Sequence, residues 1–374
     1  MPTPIDLKNL TQSQLAEFLR NLGLPASRAR QIFSLIHRPG VRDFAGMSTI
    51  KKEIRRLLAE HACISRLEPA AVERSRDGTV KFAFRLDDGA VIESVLIPTD
   101  DRHTLCVSSQ AGCAMGCRFC LTAGSGFLRN LTPAEIVNQV SAVQEHLILS
   151  GVTRATARQL IDNLVFMGMG EPLANYDNLI TALTILMDGQ GLGFSERRVT
   201  VSTCGLVPRM KELGRAIRVN LAVSLHAADD PTRSGLMPVN RTYGVDEVLA
   251  ACRAYPLSTK QVIFIEYVLI EGLNDSTDAA RNLADKLQGL RCLINLLQYN
   301  ESPSLPYRCS PPGKIAAFQE ILRRGGFRTL IRSSRGADIS AACGQLVSPR
   351  LREDTSPSDH SAPKNRLAPS APAC

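Results

Sequence analysis

The chain has 374 residues, 44% hydrophobic and 21% charged, a balance that excludes whole-chain disorder, collagen-like repeats and an extended coiled coil. No run approaches the roughly 18 consecutive apolar residues of a membrane span, and the opening MPTPIDLKNLTQSQ lacks the apolar stretch of a signal peptide, so a cytoplasmic protein without membrane association is expected. Lys and Arg number 44 against 36 Asp and Glu, a net charge of +8 that suits a polyanionic partner, while 5% aromatics and no Trp argue against a broad base-stacking platform.

Residues 1–66 read as a helical accessory domain. Thr11-Gln12-Ser13-Gln14 matches a capping box, and Leu15, Phe18, Leu19 and Leu22 then repeat at helical spacing up to Gly23. Pro25 opens a second helix with Ile32, Phe33 and Ile36 on one face, stopped by Pro39-Gly40. A third follows Met47-Ser48 with Ile50, Ile54, Leu57 and Leu58. The basic residues here, Arg28, Arg30, Arg38, Arg42, Lys51, Lys52, Arg55 and Arg56, fit either solvated helix faces or contacts to a nucleic-acid backbone. Residues 67–103 change to period two and predict a linking β-hairpin, Thr79–Leu86 and Ala90–Ile97 about the turn Asp87-Asp88-Gly89. In its second strand Glu93 shares a face with Val91, Val95 and Ile97, and taken alone is expected at a sheet edge facing water.

From 104 to 346 apolar strands alternate with helices. Strands are expected at 104–109, 163–167, 198–203, 220–225, 261–269, 293–298 and 327–331, with helices near 133–149, 177–187, 206–214, 245–253, 276–288 and 312–324. Repeated βαβ units predict an α/β fold with a parallel sheet curled into a full or partial barrel, and functional residues at the C-terminal strand ends. Residues 347–374, with Pro349, Pro357, Pro363, Pro369 and Pro372, read as a disordered tail in which Cys374 is incidental.

Eleven cysteines are the outlier, and an odd number without a secretory signal points to metal binding or thiol chemistry rather than a disulfide framework. Cys113-Ala-Met-Gly-Cys117-Arg-Phe-Cys120 places three thiols at Cys-x3-Cys-x2-Cys in a loop after the first strand of the βα repeat. Three structural cysteines so close in sequence would be unusual. A zinc ion would need a fourth ligand, available from His103 or Cys106, whereas a four-iron cube on three thiolates leaves one iron open for substrate.

This motif resembles the cluster loop of the radical S-adenosylmethionine (SAM) superfamily. The resemblance implies a [4Fe-4S] cluster on Cys113, Cys117 and Cys120 whose open iron chelates SAM, and reductive cleavage of SAM to methionine and a 5′-deoxyadenosyl radical. Gly168-Met169-Gly170-Glu171-Pro172-Leu173 resembles the superfamily's Gly-Glu-Pro element, which would use Gly170 and Glu171 to receive the SAM ammonium. By the same resemblance Ser202, the run Ser224-Leu225-His226, and Asn300 are SAM contacts at successive strand ends.

Two further cysteine contexts, Leu105-Cys106-Val107-Ser108-Ser109-Gln110 and Arg335-Gly336-Ala337-Asp338-Ile339-Ser340-Ala341-Ala342-Cys343-Gly344-Gln345-Leu346, are similar to the radical-SAM adenine C2 methyltransferases of ribosomal and transfer RNA. The resemblance runs from the N-terminal helices to Leu346. It implies a radical-SAM partial (βα)6-type barrel and a substrate adenine in the peptidyl-transferase centre of 23S rRNA and next to the anticodon of tRNA. Two SAM molecules are consumed per methylation. Cys343 takes a methyl from the first by displacement, and the radical from the second abstracts hydrogen from that methyl. The methylene adds to C2, Glu93 is the proposed base for the C2 proton, and Cys106 resolves the enzyme–RNA link by forming a disulfide with Cys343. An electron donor such as flavodoxin or ferredoxin and a monomeric enzyme are expected. Arg129, Arg197, Arg198, Arg332 and Arg335 are candidate RNA contacts near the barrel mouth. Cys63, Cys204, Cys252, Cys292 and Cys309 are expected to serve packing or lie at the surface. Still open are C8 methylation of the same rRNA base by the sister resistance activity, which needs the same five cysteines, and a non-catalytic metal-dependent RNA-binding protein.

Overall fold

A computed structural model describes residues 4–152 and 160–347; the expected tail lies, from residue 348 on, outside the described residues. Thr11 caps the helix Gln12–Asn21 by accepting from the Gln14 N–H, while the Gln14 side chain returns to the Thr11 N–H. The same reciprocal cap, Thr132 with Glu135, starts the helix Pro133–Leu149 with Pro133 in its first turn. The other N-terminal helices are Ala29–Ile36 and Lys52–His61, and their apolar faces bury Leu15, Leu19, Ile32, Phe33, Ile36 and Leu58. This region is bound to the helix Pro133–Leu149: Lys8 Nζ donates to Asn138 Oδ1 at 2.6 Å, the Ala134 N–H donates to Asn9 Oδ1 at 2.9 Å, and Arg66 pairs with Glu145.

Ten strands form one sheet in chain order: β1 Pro69–Arg74, β2 Val80–Arg85, β3 Val91–Pro98, β4 His103–Cys106, β5 Asn163–Phe166, β6 Val199–Thr203, β7 Asn220–Ser224, β8 Ile263–Leu269, β9 Cys292–Gln298 and β10 Thr329–Arg332. β1–β4 are an antiparallel meander, and β4–β10 are parallel. The crossovers carry helices Pro133–Leu149, Tyr176–Met187, Val207–Ala216, Val245–Ala254, Thr277–Leu287 and Pro312–Arg324. β1 and β10 do not pair with each other, so the parallel strands make a partial barrel with six crossovers.

Three features depart from expectation. The 67–103 segment contributes a third strand, β1, and is continuous with the barrel sheet. A short antiparallel pair, Gln110–Gly112 with Phe127–Asn130, brackets the cysteine loop. Glu93 is fully buried rather than facing water. Both faces of β2 and β3 are covered, which explains this. On one, Ser94 Oγ donates to Gln139 Oε1 of the helix Pro133–Leu149 at 2.7 Å, and Phe82 meets His146 edge-on. Alternation sends Glu93 and Lys81 to the other side, toward the barrel interior. There the segment after β10 packs so tightly that a Cβ on Gly336 would lie 2.9 Å from Thr79 Cγ2.

Candidate active site

The cysteine loop leaves β4 through Gly112, whose φ of +77° and lack of room (a Cβ would lie 2.0 Å from the Gly126 carbonyl oxygen) require glycine. The Cys113 N–H donates to Gly126 O, the Cys120 N–H to Cys117 O, and the Arg118 N–H to Leu236 O. Met115, Cys117 and Phe119 pack on Leu236, Met237, Val268, Ile270 and Tyr299, so the loop rests on the ends of β8 and β9. Burial pushes the Cys113 thiol up to about 11 and Cys117 higher still, and the neighbouring cysteines add to both.

The strand ends expected to contact SAM surround this loop. Gly170, at φ +95°, lies so close to Gln110 that a Cβ would be 2.5 Å from Gln110 Cβ. Both oxygens of buried Glu171 accept backbone N–H groups, Oε1 from Leu173 and Oε2 from Cys204, and Glu171 bears electrostatically on Cys113 and Cys117. Ser202 and Ser224 are half-buried at the ends of β6 and β7, and Leu225 is buried. His226, at φ +60°, accepts the Val268 N–H at Nδ1 and meets the Phe119 ring edge-on at 4.9 Å. Burial, then Arg233, lowers its pKa to about 3, so the ring is neutral. Asn300 Nδ2 donates to the Cys343 carbonyl at 3.3 Å.

Cys106 ends β4 and Cys343 lies in the loop after β10, yet the two interact electrostatically, and Cys343 interacts with Cys120 of the cysteine loop. The two loops are fastened together: the Leu121 N–H donates to Gly344 O and Thr122 Oγ1 to Leu346 O, each at 2.8 Å. Both Cys106 and Cys343 are free thiols. Burial raises the Cys106 thiol strongly, with the charge of Cys343 adding. Cys343 is the exposed member of the pair, and desolvation, then the charges of Glu266 and Cys120, push its thiol up to about 11. The five thiols are therefore linked as electrostatic neighbours, Cys106 to Cys343, Cys343 to Cys120, and Cys120 to Cys113 and Cys117.

Comparison with known proteins places this arrangement. The Radical SAM superfamily profile matches residues 107–284, and the Ribosomal RNA large subunit methyltransferase N-terminal domain matches residues 5–64. A dual-specificity RNA methyltransferase RlmN from Desulfotalea psychrophila is 54% identical over 92% of this chain and 95% of its own length; the one from Geobacter sulfurreducens is 51% identical over 92% and 93%. The chain belongs to the RlmN family. A radical SAM methyltransferase from Sphaerobacter thermophilus superposes with a TM-score of 0.84 at 44% identity, covering 91% of this chain and 99% of that one.

Membership in the RlmN family brings a [4Fe-4S] cluster and SAM as cofactors. The donor set fits a cluster on Cys113, Cys117 and Cys120. His103, considered as a fourth zinc ligand, sits at the far end of β4 with Nδ1 on the Leu160 carbonyl at 2.8 Å, and Cys106 faces Cys343. Among the described residues no three His, Cys, Asp or Glu side chains converge on a point that a single ion could occupy.

Three site residues escaped the sequence reading. Glu266 stands in the apolar run Ile263-Phe-Ile-Glu-Tyr-Val-Leu269, a signal that was available; it accepts Asn295 Nδ2 at 2.7 Å, and burial raises it to about 7. Arg233, fully buried, donates to the carbonyls of Cys204, Ser224 and Leu225 and so ties the ends of β6 and β7 together. Lys81 is nearly buried beside Glu93, 3.6 Å from Nζ to Oε1. The candidate arginines divide: Arg332 ends β10 and Arg335 follows it, both exposed at the C-terminal strand ends, and Arg129, beside the cysteine loop, is held by Asp88 and Glu135, whereas Arg197 and Arg198 precede β6, at the opposite end of the strands.

Proposed function

We propose that this chain methylates C2 of adenine in 23S rRNA and in tRNA, using Cys343 as methyl carrier, Cys106 as resolving thiol and Glu93 as base. The observation that carries the reading is the approach of Cys106 and Cys343 to each other beside Cys120, from distant parts of the chain. An amidine carbon such as adenine C2 is no nucleophile, so direct methyl displacement cannot reach it. When bound, the cluster and SAM supply the electron and the hydrogen-abstracting radical that activate the carried methyl. Cys343 acts first as a thiolate nucleophile and then holds the methyl against the base. Glu93 accepts the C2 proton from the enzyme–RNA adduct. Cys106 attacks the Cys343 sulfur and the sulfur–carbon bond breaks; the freed carbon takes a proton to become the methyl, the electron borrowed for SAM cleavage is given back, and the transient disulfide left on the two cysteines must be reduced for the next turnover.

Gly170, Glu171, Ser202, Ser224, Leu225, His226 and Asn300 would bind SAM, with Glu171 and the two serines supplying polar contacts and Gly170 allowing close backbone approach. We also read 1–66 as the accessory RNA-binding domain, 67–103 as its join to the barrel and 104–346 as the radical-SAM core. The enzyme acts in the cytoplasm as a monomer, reduced by a flavodoxin or ferredoxin. No helix among the described residues is long and apolar enough to cross a membrane. Anaerobic reconstitution with methyl-labelled SAM and rRNA and tRNA fragments, followed by nucleoside mass spectrometry, tests the reading. It predicts 2-methyladenosine in both RNAs. Label at C8, as in the sister resistance activity, or none in either RNA would refute it.

A further inference from the structure

Glu93 has no solvent access, and neither of its carboxylate oxygens has a hydrogen-bond partner. A base in that position accepts a proton that must then leave before the next turnover. The neighbouring strands offer a route. Lys81, Val95 and Cys106 pair directly in one row across β2, β3 and β4, and Glu73 of β1 pairs with Lys81. Directly paired residues share a face, so Glu93, two residues before Val95, lies diagonally across from Lys81 on the same side. Lys81 Nζ stands 3.6 Å from Glu93 Oε1 and 3.5 Å from Glu73 Oε1. Exposure rises outward along the row: the side chain of Glu93 is 1% exposed, Lys81 4% and Glu73 24%. Two carboxylates about one ammonium carry a net negative charge, and burying that charge is unfavourable unless a proton is shared among them.

We propose that Lys81 and Glu73 form the proton exit of Glu93, an inference that rests on the reading of Glu93 as the base. The C2 proton passes to the Glu93 carboxylate while the C–H electron pair stays on the adenine ring. The Lys81 ammonium gives one proton to the Glu73 carboxylate and takes the proton held by Glu93, so Lys81 ends as it began. Glu73, at the half-exposed edge strand, releases the proton to water, and no oxidant or co-reactant is needed. Lys81 acts through Glu93 and is a positioning residue. Its charge also opposes the burial that raises the Glu93 carboxyl, while Glu73 pushes the carboxyl up.

The test uses the full-length, cluster-loaded Cys106→Ala protein, which removes the resolving step, and an RNA substrate carrying tritium at C2 of the target adenine. Two rates are read: methyl loading of Cys343 and release of tritium to water. Added to this background, Lys81→Met, Lys81→Arg and Glu73→Gln should each slow tritium release about tenfold or more, within the range general acid–base groups supply, and leave methyl loading unchanged. Arginine restores the charge but does not give up a proton, so failure of Lys81→Arg to rescue separates relay from simple charge balance. A structural role would lower both rates together and overturn the proposal, as would parent-rate release in Lys81→Arg or Glu73→Gln. If the Lys81 variants do not fold, Glu73→Gln decides alone. Glu93→Gln separates the two levels. Parent-rate release in that variant refutes the base itself, whereas blocked release there with parent-rate release in the Lys81 and Glu73 variants refutes only the exit.

Discussion

A carboxyl group buried without hydrogen bonds titrates far from its value in water, and Glu93 shows the direction. Burial raises its pKa to about 7, opposed by Lys81 on β2 and reinforced by Glu73 on β1; the Cys106 thiol on β4, raised by its own burial, stays neutral across the relevant range. A base must be ionised to accept a proton. Release of tritium from C2 in the Cys106→Ala background should therefore be flat above about pH 7 and fall roughly tenfold per pH unit below it. A profile flat down to the ordinary carboxylate range would remove Glu93 from the step. The burial was not legible in the sequence. Val91, Glu93, Val95 and Ile97 declare a common face, but which way that face points depends on Ser94 finding Gln139 and on the segment after β10 covering Thr79. Lys81 was missed for the same reason, since a lysine in an alternating strand normally marks the wet side. The cysteine loop was legible as a motif, because its three cysteines lie within eight residues and need no tertiary information.

The element that carries Cys343, the proposed methyl carrier, is the segment between β10 and Leu346. It has little regular structure, a single 3-10 turn at Ala337–Ile339, and three left-handed residues, Gly336, Ser340 and Gly344. The turn between β1 and β2 holds it. Asp77 Oδ2 accepts the Gly336 N–H at 3.0 Å, and Asp338 accepts from Ser75 Oγ at 2.6 Å and from the Arg76 N–H at 3.2 Å. These bonds hold both Asp77 and Asp338 below the usual carboxylate range. Asp77→Ala with Asp338→Ala should free this segment. Amide exchange over 333–346 should rise by tenfold or more, and methyl loading of Cys343 should fall, while cluster content stays unchanged because the cysteine loop keeps its further bonds, Cys113 to Gly126, Arg118 to Leu236 and Cys120 to Cys117. Unchanged exchange would show that the contacts to Leu121 and Thr122 suffice. The turn itself was readable from Arg76-Asp77-Gly78; its partner across the sheet was not, because only the folded meander brings the two together.

At the scale of the whole molecule, the parallel strands gather at one end what the chain disperses. Cys106, the cluster loop, Glu171, Ser202, Ser224, His226, Asn300 and Cys343 all emerge at or beyond C-terminal strand ends, as a βα barrel requires. The alternation of strands and helices predicted this end as the working one, and most element bounds agree within two residues. Alternation could not reveal Arg233, which reads as an ordinary polar residue of the short helix Asp230–Leu236 but lies inside, bound to the carbonyls that shape the ends of β6 and β7. Nor could it place the arginines, whose partners are set by folding. The decisive experiment is anaerobic single turnover of the cluster-loaded Cys106→Ala protein with methyl-labelled SAM and RNA, followed by digestion and mass spectrometry. The account predicts a covalent link through one labelled carbon from the Cys343 sulfur to C2 of adenine. An unmodified Cys343 peptide, or free methylated RNA at the normal rate, would contradict it.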